Sequence, residues 1–223
     1  VSVVFPIAMP VGVATEYFEP ERVDAISPTN DGAVSGVTLG FPLWRARWGL
    51  GKSISRATSE EWRAFVALLR GQQKTFLGFD QGRPLPLAYP DGFEGLSRFG
   101  GGAFDGSATS WSVNADRDEP TLSGFPPGFV ISVGDYIMWR WTTGGEARRA
   151  LCRAVLPSVA NSGGVIAVRV EPPLPTLTPS FAVADVNRPT CIMKRVTEDG
   201  SLGDKDRSLK VSGTIAAIQD LRD

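Results

Sequence analysis

One stretch, Thr58 to Gly71, is written as a helix, and almost everything else in the chain is written as strand and turn. Thr58 followed three residues later by Glu61 forms a capping box, which satisfies backbone N–H groups that a helix start leaves unpaired. Trp62, Phe65, Val66 and Leu69 fall at i, i+3, i+4 and i+7 and so share one face, which Leu68 widens; Gly71 supplies the left-handed stop. A helix of about 12 residues is marginal alone in water, so this one must pack its apolar face on something. With strands on both sides of it, that something is a sheet.

Leu43 to Leu50 alternates, with Trp44, Ala46, Trp48 and Leu50 on one face and Arg45, Arg47 and Gly49 on the other, as a half-buried strand does. The helix follows, then a short strand from Lys74 to Phe79. Strand, helix and strand make a compact layered unit. Val1 to Pro10 is apolar, but it lacks a basic start and is broken by Pro6 and Pro10, so it reads as a first strand rather than a secretion signal. One or two edge strands and the turn Asn30-Asp31-Gly32 come next.

Strong turn text at Tyr89-Pro90-Asp91-Gly92 sets a domain boundary near residue 90. Beyond it, Ser110 to Asn114, Phe129 to Val133, Tyr136 to Trp141, Arg148 to Leu156 and Val165 to Val170 are strands, with Thr142-Thr143-Gly144-Gly145 as a tip. Their spacing of roughly ten residues points to a small sandwich or barrel. Thr190 to Val196 is a further strand, Glu198 to Arg207 is polar and expected to be mobile, and Ser208 to Ile218 alternates as a late strand returning to the first domain. The expected fold is mainly β: a β-sandwich with one packed α-helix over 1-90 with 191-223, and a second small β-barrel or sandwich over 91-190. Gly 25 and Pro 17 in 223 residues exceed average usage and fit frequent turns.

Composition excludes several functions. Histidine is absent, which removes Ser-His-Asp and Cys-His catalysis and the usual catalytic zinc ligands. A net charge of −1 gives no bulk attraction to nucleic acid or anionic lipid. No apolar run approaches the roughly 18 residues of a membrane span. Cys152 and Cys191 read as free, partly buried thiols.

Ala46 to Ser53 matches a relaxed phosphate-loop pattern, with Asp80 in the place of a metal-holding acid. Such a loop needs its helix to begin directly after Lys52-Ser53, and a helix capped at Thr58 begins too late. Asp91, Glu94, Asp105, Asp116, Asp118 and Glu119 offer carboxylates for glycoside hydrolysis, but no spacing singles out a pair. Asp116 to Glu119 lacks the glycine and the later glutamate of a helix-loop-helix calcium site. No catalytic residue, cofactor or metal is expected. Trp44, Trp48, Trp62 and Trp139 read as core, whereas Trp111 and Trp141 are less constrained and are the candidates for stacking on sugar rings. Arg45, Arg47, Arg148 and Arg149 are candidate subunit-interface residues.

Ser55 to Phe65, Leu68 to Gly71 and Thr75 to Asp80 resemble the helix-and-strand unit of tail-tip proteins from long-tailed bacteriophages. Gly134 to Ile137, Arg149 to Val155 and Gly164 to Leu174 are similar to their small β domain. The resemblance covers residues 53 to 90 and 128 to 175 and is nearest to the distal tail protein, with another minor tail protein of the same tip as the related alternative. It implies a structural virion protein of the baseplate, assembled in the host cytoplasm, which forms a homo-hexameric ring joining the tail tube protein to the tail hub or receptor-binding parts. The first domain makes the ring, the second projects outward, and DNA passes through the lumen without specific binding. It implies no enzyme. A carbohydrate-binding module is the reading from a different class.

Overall fold

The computed structural model describes residues 3–28, 34–51, 54–197, 200, 202–205, 207 and 210–221. They are mainly β, with one helix, and the chain divides into two compact units. One comprises Pro10–Lys74 and Met193–Asp220; the other comprises Val1–Met9, Thr75–Ile192 and Leu221–Asp223.

The helix-bearing unit is built on an antiparallel sheet in which strand Val211–Gln219 lies between Cys191–Val196, which spans the division, and Leu43–Leu50. Thr15–Glu21 pairs with the far edge of Leu43–Leu50. The alternation of Leu43–Leu50 is realised in full: Trp44, Ala46, Trp48 and Leu50 are buried. Phe18 stacks on Trp44 with centroids 5.0 Å apart, and the Trp48 indole N–H donates to Glu16 Oε1 at 2.7 Å. The late strand does return to this sheet, where the Gln219 side chain accepts from the Trp44 N–H at 3.3 Å. Within the polar stretch expected to be mobile, Leu202–Lys205 is instead a strand on Val211–Gln219, since ladder hydrogen bonds need no apolar side chain at an edge.

The helix runs Arg56–Leu68, earlier than expected. Ser55, not Thr58, is its cap: the Ser55 backbone is extended, and its hydroxyl accepts the Thr58 N–H at 3.0 Å. The Thr58 hydroxyl instead shares a hydrogen bond with that of Ser55 at 2.9 Å. Trp62, Phe65 and Leu69 are buried, Val66 is half-buried, and Leu68 is exposed, so Leu68 does not widen the buried face. Ser59 joins that face instead, its hydroxyl accepting the Val211 N–H at 2.8 Å. A buried hydroxyl fits here because it closes a backbone donor at the start of a strand. At the other end Arg70 takes the left-handed conformation ahead of Gly71, with φ of 49° and 73°.

In the other unit a four-stranded antiparallel sheet runs in the order Val170–Glu171, Glu146–Ala154, Tyr136–Thr143, Val183–Asp185. A three-stranded sheet is ordered Val165–Ala167, Pro120–Ser123, Ser110–Val113, and Val130–Ile131 pairs with Ser158–Val159. The run expected as one strand, Val165 to Val170, breaks at Val168 and Arg169 and so serves two sheets around one core, which includes Leu122, Phe125, Phe129, Ile137 and Trp139. Ile7–Ala8 pairs in parallel with Thr75–Gly78, also in this unit.

The division falls at Lys74/Thr75, ahead of the turn text near residue 90. Contacts of the intervening residues show why. Tyr89 stacks on Phe129 at 4.3 Å and accepts the Val130 N–H at 3.0 Å; Leu85 packs on the same core; and the Tyr136 hydroxyl donates to Asp80 at 2.9 Å.

Replacing Trp62 with alanine removes the largest side chain on the helix's buried face. We expect Trp62→Ala to lower stability by about 3 to 5 kcal/mol in urea unfolding, as for other buried aromatic truncations. Trp62→Phe should cost less, because the indole N–H it removes is buried and has no acceptor among the described residues.

Candidate interaction surfaces

The four arginines picked out from sequence lie in different units. Arg45 and Arg47 share the solvent face of Leu43–Leu50, where Arg45 Nε pairs with Glu21 at 2.8 Å and the Arg47 guanidinium lies 5.9 Å from the Tyr17 ring centroid. Both are thus engaged within the chain, on a partly solvated face where ion pairs contribute little to stability.

Arg148 and Arg149 belong to the hairpin of Tyr136–Thr143 and Glu146–Ala154. Its tip is the two-residue turn Gly144-Gly145, both at positive φ, as a tight hairpin with right-handed twist requires. That turn fixes the register, so Arg140 lies directly opposite Arg149, and Trp141 opposite Arg148. Arg140 is the residue the sequence reading missed, although counting back from the Gly-Gly tip would have paired it with Arg149.

Arg149 donates through Nη1 to Met138 Sδ at 3.1 Å and to Thr190 Oγ1. Burial, then the charge of Arg140, pulls its guanidinium below the usual arginine value, with Asp185 acting in the opposite sense. Arg140 Nε approaches Asp185 Oδ2 at 3.6 Å. A cleft of about 180 Å³ is lined by Arg140, Trp141, Thr142, Ala147, Arg148 and Arg149.

The aromatic candidates do not make an open platform. Trp141 is buried, and Trp111 is half-buried, edge-on to Trp139 at 5.9 Å with its N–H donated to the Ala182 carbonyl at 2.6 Å. Sugar stacking needs a free ring face, and burial leaves Trp141 little of one. The acidic loop is closed on itself: Asn114 Oδ1 accepts the N–H groups of Asp118 and Glu119 at 3.1 and 3.0 Å, and Arg169 pairs with Asp118. Asp105 is held by Arg98 and Ser107. Among the described residues no group of three His, Cys, Asp or Glu side chains is arranged to hold a metal. Lys52 and Ser53 of the phosphate-loop pattern lie outside the described residues, and the helix begins at Arg56, beyond them.

One buried carboxylate is structural. Asp135 Oδ1 accepts the Leu87 N–H at 2.9 Å and Oδ2 accepts the Ser132 N–H at 2.7 Å, with Arg83 Nη1 at 3.8 Å. Burial raises its pKa above the usual carboxylate value even though these donors and Arg83 pull it down. Cys152 and Cys191 are free and fully buried, deeper than the expected partial burial, and burial pushes both thiols far above their ordinary value.

The helix-bearing unit presents another surface. Asp24–Pro28 and Val34–Thr38 pair as a two-stranded antiparallel ribbon, with Ala25 opposite Val37 and Ile26 opposite Gly36. Facing pairs share a side, so Val37 and Ile26 point to opposite faces. Ile26 is 70% exposed and Val37 60%, and Val23 and Leu39 at the ribbon's base are 64% and 65% exposed. The turn text at Asn30-Asp31-Gly32 lies outside the described residues.

No protein-family model matches the chain, and no curated protein matches it. None of the described helices is long and apolar enough to cross a membrane.

Two measurements check the buried groups. Asp135→Asn keeps one acceptor oxygen for two backbone donors, so it should lower stability by about 1 to 3 kcal/mol in denaturant titration. Alkylation at pH 8 should leave Cys152 and Cys191 unmodified in the native protein and modify both in denaturant, as read by mass spectrometry, because the reactive species is the thiolate.

Proposed function

We propose that the chain is a structural subunit of a bacteriophage tail tip, closing with copies of itself into a ring, six-membered by the resemblance, between the tail tube and the hub or receptor-binding apparatus. The observation that carries this reading is the ribbon of Asp24–Pro28 and Val34–Thr38. A two-stranded hairpin is marginal by itself in water, and this one exposes apolar side chains on both faces. Such an arm gains stability by lying on a neighbouring subunit. Thr15–Glu21 adds an edge strand whose second side pairs with no strand among the described residues. Edges of this kind invite pairing between chains, and a closed ring satisfies them without open-ended growth.

The helix-bearing unit is therefore the ring-forming one, with the Trp44 and Trp48 core and the helix brace holding its sheet rigid. The role is mechanical and calls for no catalytic group. The lumen passes DNA without binding it, and the protein resides in the virion after assembly in the host cytoplasm.

In light scattering and negative-stain images the purified protein should form rings at high concentration. Ile26→Asp with Val37→Asp should shift it to monomers while leaving its circular dichroism unchanged. A wild-type protein that stays monomeric at high concentration and is missing from tail particles refutes the reading.

A further inference from the structure

We propose that the hairpin of Tyr136–Thr143 and Glu146–Ala154 carries an oxyanion-binding cleft, in which Arg140 and Arg149 together grip a phosphate or carboxylate group. This inference does not depend on ring formation.

Arg140 and Arg149 are directly opposed across the ladder and so lie on one face of the hairpin. Like charges in that position destabilise a strand pair, and a sheet that keeps them there needs something to offset the repulsion. The charge between them is only partly met. Arg149 is half-buried, its hydrogen-bond acceptors are the neutral Met138 thioether and Thr190 hydroxyl, and among the described residues it forms no ion pair. Among the described residues Asp185 is the carboxylate that pairs with this couple. It approaches Arg140 at 3.6 Å, and its Oδ1 is already taken by the Asn187 N–H at 2.8 Å. A guanidinium taken partly out of water without a matching anion is costly, and an incoming oxyanion removes that cost at both arginines at once.

Geometry fits the same ligand. The cleft of about 180 Å³ admits one small anion with some of its water, and Arg148 and Thr142 also line it. Guanidinium groups present their donors in a rigid fork, which matches the spacing of phosphate and carboxylate oxygens and disfavours spherical chloride. The partners of Arg149 hold its side chain by Nη1, so one of the two guanidinium groups is positioned before the anion arrives.

The test is calorimetric titration of the full chain with inorganic phosphate and, separately, with acetate, at constant ionic strength maintained with chloride. At least one anion should bind saturably. Arg140→Gln and Arg149→Gln should each weaken that binding about tenfold or more, the effect of losing one charge-assisted hydrogen bond. Arg47→Gln, in the other unit, should leave it unchanged. Stronger binding of phosphate assigns the cleft to a phosphate-bearing ligand, and stronger binding of acetate assigns it to a carboxylate. Absence of saturable binding by both anions, or equal binding by wild type and the Arg140→Gln variant, overturns the proposal. Arg140 is half out in solvent, so its replacement keeps the test decisive even if Arg149→Gln fails to fold.

Discussion

The helix-bearing unit depends on one long-range pairing, that of Val211–Gln219 with Leu43–Leu50. Without it, Leu43–Leu50, which carries Trp44 and Trp48, pairs with Thr15–Glu21 on one side and has no strand on the other. The late strand does three things: it carries Ile215 into the buried layer, brings Gln219 to the Trp44 amide, and presents the Val211 N–H to Ser59. The helix is thus fastened by a hydrogen bond at one turn and by Trp62, Phe65 and Leu69 along the rest. Sequence-distant strands hold together what the local helix signal only begins.

The other unit is organised by ring contacts. Phe129 lies within 5.9 Å of Phe93 and 5.1 Å of both Phe104 and Phe125, and Tyr89 stacks on it. Mutual edge and stacked packing of this kind adds to simple burial and draws loops into the core. Hence the glycine-rich text between residues 92 and 106 is not a linker. It contributes Phe93 and Phe104, and Arg98 pins it by donating to the Gly124 carbonyl at 3.2 Å.

The parts of this architecture visible in the sequence are those with a strict local period. Leu43–Leu50 alternates without exception, and its buried face follows directly. The helix was visible for the same reason, but its start was misplaced because Ser55 and Thr58 are both good caps and only backbone geometry chooses between them. Leu68 and Ser59 show the limit from the other side: which residue faces inward depends on the strand opposite, so a leucine stays outside and a serine goes in. Leu202–Lys205 is polar and carries no period, and its pairing comes from its neighbour. At the candidate cleft, Arg148 and Arg149 stand out in the sequence as adjacent charges on an expected strand, whereas Arg140 emerges only once the hairpin register is known.

The division of the chain has a consequence for synthesis. The helix-bearing unit is interrupted after Lys74 and resumes at Met193, so its central strand leaves the ribosome only after the whole span Thr75–Ile192. The aromatic core between Phe93 and Val186 can therefore condense first, while Trp44, Trp48 and the apolar ribbon wait uncovered. Non-local pairing of this sort is slow and leaves strand edges exposed in the interval. Nascent chains are then most vulnerable to association with one another through the apolar segments left uncovered in that interval.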